Sequence, residues 1–313
     1  MTNYKILITD GLDETGQSIL RASAQVDDRN NISADDFLKA IPDYDGLIVR
    51  GRTKVTAAVM EAASKLKVIG RAGVGVDNID LEAAKKHNIT VVNAPMSTTL
   101  AVAELTFGLM LSLAREIPRA DAGMKQGKWL KKELEGVELN GKTLGIIGYG
   151  RIGMEMGKRA AVFGMNVVAY GPLISEDEIK KRGAEPVSIQ DLYAWSDFIS
   201  LHLPLNVQTR DMIGAQAFSE MKDGVRIVCA ARGGIIDEAE LVKALNSGKV
   251  AGAALDVFSA EPPGLTEAVS HPRVIATPHV GAQTVEAQSR ASEDIAAEVL
   301  SALQGKPLRW KVN

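Results

Sequence analysis

Short runs of aliphatic and β-branched residues alternate with longer stretches whose apolar positions recur at helical spacing. In the first hundred residues, 5–9, 46–50, 66–70 and 90–93 read as strands, and 56–65 and 81–87 as helices between them. An apolar helical pattern over 99–115 follows, then a polar stretch over 121–140. A second series of strands begins there, at 143–147, 166–170, 198–201, 226–229, 252–257 and 274–276. The chain closes on a helix over 284–303 with no strand after it. Strands alternating with helices specify βα units around parallel sheets, and the second series is long enough for a complete doubly wound sheet. The fold class is α/β, with two doubly wound parallel-sheet domains. No repeat, low-complexity tract or Gly/Ser linker separates the two series, so they join through helices. The pattern leaves open whether the terminal helix caps the second sheet or returns to the first domain.

Composition narrows the setting. A length of 313 residues suits two domains of roughly 150 residues each. Lys and Arg number 36 against 39 Asp and Glu, a net charge of −3, which argues against nucleic-acid binding driven by bulk positive charge. No apolar run reaches the roughly 18 residues of a membrane helix. The opening MTNYKILITD reads as a strand, without the basic region or cleavage site of a signal peptide. A single cysteine, Cys229, rules out an intrachain disulfide and fits a reducing compartment. The expectation is a cytoplasmic protein with neither a nucleic-acid nor a membrane partner and no metal site.

Gly148-Tyr149-Gly150-Arg151-Ile152-Gly153 is a G-x-G-x-x-G that follows the strand TLGII and opens a helix over 152–163 leading to the strand NVVAY. That context is the one a dinucleotide-binding turn requires. Gly148 permits the tight turn, Gly150 lets a pyrophosphate approach the backbone, and Gly153 allows close helix–strand packing. Amides around Arg151 and Ile152 then face the phosphates at a helix N-terminus. An acid about 20 positions on normally grips the adenine ribose. Here that place reads Tyr170-Gly171-Pro172, without a carboxylate and without an adjacent arginine for a 2′-phosphate. NAD is the expected cofactor, with weakened adenosine binding.

Three later segments carry titratable groups at strand ends: CAARGGIIDE with Arg232, LDVFSAEPP with Asp256 and Glu261, and TPHVGAQT with His279. In doubly wound sheets ligands bind outside the carboxyl ends of strands, so all three can converge beside a nicotinamide. Singly, each has an ordinary reading as a surface ion pair, a loop acid or a structural imidazole. His87 and His271 read as surface residues, and His202, in LHLPL, as lining the cofactor crevice without proton chemistry.

Together GYGRIG, ARGGIIDE, DVFSAEPP and PHVGAQT resemble the D-isomer-specific 2-hydroxyacid dehydrogenases, and VRGRTKVT and GRAGVGVDNIDLEAA extend the likeness into the first domain. The resemblance implies a Rossmann NAD-binding domain over 98–283 and a smaller flavodoxin-like substrate domain over 1–97 plus 284–313. It places the family's arginine, histidine and glutamate on Arg232, His279 and Glu261. His279 would exchange the hydroxyl proton, Glu261 would fix its tautomer, and Arg232 would clamp the substrate carboxylate. Cofactor contacts are implied for Ala230, Asp256, Gly281 and Ala282, beside those of the glycine turn, Gly171, Pro172 and His202.

The resemblance also sets Arg50 and Arg71, with the Val74-Gly75-Val76 backbone, at the substrate, and Lys131 at a neighbouring subunit's pocket. A surplus of arginines favours a phosphorylated hydroxy acid. The implied reaction is oxidation of 3-phospho-D-glycerate to 3-phosphooxypyruvate with NAD, in serine biosynthesis, in a cleft between the domains of a homodimer. Two departures from the family pattern stand out, Gly51 in place of a serine and Cys229 in place of an asparagine. The implied form lacks the C-terminal regulatory domain of long members. Reduction of hydroxypyruvate or glyoxylate stays open, as does an NAD(H)-sensing binding protein on the same fold.

Overall fold

Odd and even residues of the first strands face two different layers of core, the period-2 signature of a sheet covered on both sides. The computed structural model describes residues 4–172 and 174–313; Met1–Asn3, which the pattern joins to the first strand, lie outside the described residues. The chain divides into two units, one made of the residues up to Thr98 with Ala282–Asn313, the other of Thr99–Gly281.

The first unit holds β1 (Tyr4–Ile8), β2 (Ala24–Asp28), β3 (Gly46–Val49), β4 (Val68–Arg71) and β5 (Thr90–Asn93) in a parallel sheet of order β2-β1-β3-β4-β5. That is the flavodoxin-like order. Leu7, Leu47, Ile69 and Val91 pack on one face against Phe37, Met60 and Ala84 of intervening helices. Ile6, Ile8, Ile48, Val68 and Val92 pack on the other, against Leu20 and against Ile295, Ala296 and Val299. Those last three come from the Val285–Leu303 helix, so the terminal helix completes the first sheet, which the sequence pattern left open. Two glycines admit it: a Cβ on Gly16 would sit 2.5 Å from Ser292 O, and one on Gly70 2.5 Å from Val299 Cγ2.

Two features depart from the pattern reading. The pattern does not predict β2, because AQVDD is a half-exposed edge strand with no apolar alternation. A short antiparallel pairing follows the last helix: Lys311 bridges Val92. Val312 N donates to Val91 O, Val91 N donates to Asn313 Oδ1 (2.8 Å), and Asn313 Nδ2 donates to Ile89 O (2.8 Å).

The second unit holds β6 (Thr143–Ile147), β7 (Asn166–Tyr170), β8 (Glu185–Pro186), β9 (Phe198–Leu201), β10 (Val225–Cys229), β11 (Val250–Leu255) and β12 (Val274–Ala276). Their order is β12-β11-β10-β9-β6-β7-β8, all parallel. The seventh strand is the two-residue β8, too short and too proline-bound to register as a period. The Thr99–Arg115 helix falls where the apolar pattern puts it and buries Phe107, Met110 and Leu113. Glu116, at φ 51, breaks it from a further helix, Ile117–Lys125, inside what reads as a polar stretch.

From β6 the chain builds outward to β8, then returns to place β9 on the other side of β6. The switch point of this sheet therefore lies between the carboxyl ends of β6 and β9, where such folds bind ligands.

Replacing Gly16 by valine should destabilise the first unit by about 1–3 kcal/mol, since the added side chain forces the Glu14–Arg21 and Val285–Leu303 helices apart. A lowered urea midpoint for that unit, with the second unit's transition unmoved, is the expected result.

Candidate active site

At the switch point the glycines are dictated by backbone geometry. Gly148 is at φ 97, and a Cβ there would run into the carbonyl of His202, the residue after β9. A Cβ on Gly153 would strike the Gly148 carbonyl. The turn is thus packed on one side by β9 and on the other by its own helix. Gly150 differs, because a Cβ there would meet nothing within 4 Å. It caps the Arg151–Val162 helix without any side-chain hydrogen bond, leaving the first-turn amides to an external acceptor. Open space before uncapped amides at a helix N-terminus is what a pyrophosphate needs, so the residues present fit a dinucleotide. His202 lies under the turn: Ser200 Oγ is 2.8 Å from its Nε2, Nδ1 reaches no partner among the described residues, and burial pulls the imidazole down to about 4. A ring so held stays neutral and suits packing rather than proton transfer.

The titratable residues gather at one sheet edge. Cys229, Leu255 and Ala276 end β10, β11 and β12 at matched register, Cys229 opposite Leu255 and Leu255 opposite Ala276. Arg232, Asp256 and His279 follow within three residues of those ends. A side chain on Gly233 would collide with the Phe258 carbonyl, so the Arg232 turn lies against the segment after β11. Phe258 N in turn donates to Glu261 Oε1 (3.2 Å), and Glu261 Oε2 lies 2.7 Å from His279 Nδ1. With Nδ1 engaged by a carboxylate, Nε2 is the atom available for proton exchange. Arg232 Nη1 donates to Ala231 O (2.7 Å), and the Ala230 side chain is buried beside that turn.

His279 itself sits at φ 52, a left-handed conformation uncommon outside glycine. Asp256 imposes it. This fully buried carboxylate accepts from Thr277 Oγ1 (2.6 Å), Val280 N (2.8 Å) and Gly281 N (2.8 Å), pinning the backbone on both sides of the imidazole. Burial pushes the Cys229 thiol up to about 11, which makes it an inert filler whose Sγ lies 3.8 Å from Arg232 O.

In the first unit, Arg50 and Arg71 stand at the carboxyl ends of the neighbouring strands β3 and β4. Burial lowers the pKa of the Arg50 guanidinium. A side chain on Gly73 would overlap the Arg71 guanidinium, so that glycine makes room for it. Val74 O accepts from Asn93 Nδ2 (2.7 Å), and Gly75 follows it, half-exposed. Ala282 opens the second segment of this unit. Lys131 is exposed in the turn after the Ile117–Lys125 helix, and His87 and His271 are peripheral. Asp10 belongs to no motif in the sequence. It accepts from Arg50 N (2.8 Å), Thr53 N (3.0 Å) and Thr53 Oγ1, and pairs with Arg52 at 3.1 Å. Its only signal is an acid closing an apolar strand. Arg52, tied to Asp10 and to Thr9 O, is structural.

A glycine-rich turn at the switch point of a doubly wound sheet is the architecture of a dinucleotide-binding α/β protein. Residues 107–281 match the D-isomer specific 2-hydroxyacid dehydrogenase, NAD binding domain. D-3-phosphoglycerate dehydrogenase of Rattus norvegicus is 48% identical over 310 residues, which cover 99% of this chain and 58% of that protein. The protein of the same name from Methanocaldococcus jannaschii is 49% identical, with 99% and 59% covered. The chain therefore spans somewhat over half the length of these curated relatives. Among solved structures, a glyoxylate reductase from Paecilomyes thermophila matches with a TM-score of 0.91 at 32% identity, covering 100% of this chain and 99% of that one. The chain belongs to the D-isomer specific 2-hydroxyacid dehydrogenase family.

The His202 environment has a pH signature. Its folded pKa lies below the ordinary 6.5, so between about 6.5 and about 4 the unfolded chain binds a proton that the folded chain refuses. Stability of the second unit from this residue is intact above that window and falls as pH drops through it. His202→Gln should flatten the dependence, which urea midpoints for both proteins at about pH 5 and about pH 7 would measure.

Proposed function

We propose that the chain oxidises 3-phospho-D-glycerate to 3-phosphooxypyruvate with NAD, the activity named for its curated relatives. The observation that carries this reading is the 2.7 Å contact of His279 Nδ1 with Glu261, on the sheet edge that also holds Arg232. The Gly148–Gly153 turn would hold NAD, which would supply a hydride acceptor for C2 of the hydroxy acid. His279 Nε2 takes the proton of the substrate hydroxyl, and Glu261 stabilises the imidazolium. Arg232 grips the substrate carboxylate and fixes the orientation of C2. In the first unit, Arg50 and Arg71 supply cations for an anionic substrate, and the Val74 and Gly75 backbone lies beside Arg71. In the reverse direction His279 returns the proton to the carbonyl oxygen.

The assembly that suits this reading is a cytoplasmic homodimer. Ile117, Met124 and Trp129 expose 51%, 58% and 76% of their surfaces along one helix and the turn after it, an apolar run fit for a subunit contact. Lys131 lies two residues beyond Trp129 and would reach the neighbouring subunit. The unpaired, buried Cys229 agrees with a reducing compartment.

Steady-state NADH formation from 3-phosphoglycerate, run beside reduction of hydroxypyruvate and glyoxylate, tests the substrate; preference for glyoxylate would move the assignment toward the reductase whose fold it matches. His279→Ala should lower kcat by about a hundred- to ten-thousandfold while leaving the NADH dissociation constant nearly unchanged. Wild-type turnover in that variant would remove the imidazole from its role. Dinucleotide binding without turnover of any 2-hydroxy or 2-oxo acid would make the chain a sensor.

A further inference from the structure

The residue that usually selects NAD over NADP is an acid at the end of the second strand of a dinucleotide fold, where it accepts both ribose hydroxyls and repels a 2′-phosphate. That strand is β7, and Gly171 follows it. Packing does not require glycine there. A Cβ would lie 3.6 Å from Tyr149 N and 3.7 Å from Ile174 Cβ, both ordinary contacts, and the backbone is outside the left-handed region. The missing carboxylate is therefore a property of the site rather than a steric necessity.

A cation meets the next peptide of the same turn. Arg182 Nη1 donates to Tyr149 O at 3.1 Å, and Tyr149 Oη donates back to Arg182 O at 3.2 Å. Tyr149 stands between Gly148 and Gly150, so Gly171 and Arg182 flank one residue of the phosphate-binding turn. The phenol is buried and half of this two-way tether is inside the core, which fixes the guanidinium against the turn. Glu178 engages Nε at 2.9 Å and offsets part of the charge. Nη2 donates to nothing among the described residues, and the side chain is 30% exposed. Glu176 and Asp177, in the first turn of the Glu176–Lys181 helix that Arg182 caps, are exposed and make no hydrogen bond to the glycine turn.

We infer that this site accepts NADP alongside NAD, with Gly171 removing the repulsion and the Arg182 guanidinium receiving the 2′-phosphate. The inference rests on the dinucleotide reading of the Gly148–Gly153 turn and deepens it. A guanidinium binds a phosphate through paired N–H donors, and like-charge contact is the usual means of excluding one. This chain offers the two N–H groups of Arg182 Nη2 and lacks a carboxylate at position 171, Glu178 being engaged with Nε.

The test is calorimetric titration of the full chain with ADP-ribose and with 2′-phospho-ADP-ribose, which need no catalysis. Wild-type dissociation constants for the two probes should agree within about tenfold. Gly171→Asp should tighten ADP-ribose and shift the ratio against the phosphorylated probe by about a hundredfold or more. Arg182→Ala should weaken the phosphorylated probe by more than about tenfold relative to ADP-ribose, and Arg182→Lys should restore most of that ratio. A wild-type preference for ADP-ribose beyond about a hundredfold, or a ratio unmoved by Gly171→Asp, overturns the inference while leaving dinucleotide binding intact. Binding of neither probe overturns the dinucleotide reading as well.

Discussion

The buried Asp256 carboxylate, accepting from Thr277, Val280 and Gly281, is the constraint on which the candidate chemistry of the second unit depends. A charge removed from water has to be repaid in hydrogen bonds, and here the repayment comes from a single segment of chain. Because the donors lie on either side of His279, satisfying the acid and setting the imidazole's backbone are the same event. Glu261 then needs only its anchor at Phe258 to meet Nδ1. The resemblance gives Asp256 a cofactor contact; the structure gives it this positional task as well.

Parallel topology supplies the rest. Strands running the same way deliver their following loops to one edge, so residues far apart in sequence arrive together without any local signal. Arg232, Glu261 and His279 reach that edge by way of β10, β11 and β12. The first unit repeats the principle with Arg50 and Arg71 after β3 and β4. In each case a second residue keeps the loop in shape, Asp256 in one unit and Asp10 in the other.

What the sequence revealed follows from how local each cause is. The glycines of the 148–153 turn could be assigned roles because a tight turn and a close helix approach are demands on single residues. The Thr99–Arg115 helix was legible because apolar spacing persists over five turns. By contrast, β2 and β8 are edge strands, one half-polar and one two residues long, and neither has a period to read. Asp10 lies 40 positions from Arg50, and its role appears only when β1 and β3 pair. The apolar face of the terminal helix would suit either sheet; Gly16 and Gly70, which decide the matter, acquire meaning only once the partner helix is known.

The tail beyond the Val285–Leu303 helix settles a different problem of the first sheet. An outermost strand offers bare amides and carbonyls to any passing chain, and TVVN in β5 is apolar enough to invite such pairing. Trp310, Val312 and the amide group of Asn313 occupy those groups from within the molecule, the last by letting a side chain stand in for one more rung of backbone. On the opposite rim, Asp27 and Asp28 deter the same encounter by charge. The sheet is thereby sealed at one border and guarded at the other, and its resistance to intermolecular stacking hangs on the final few residues.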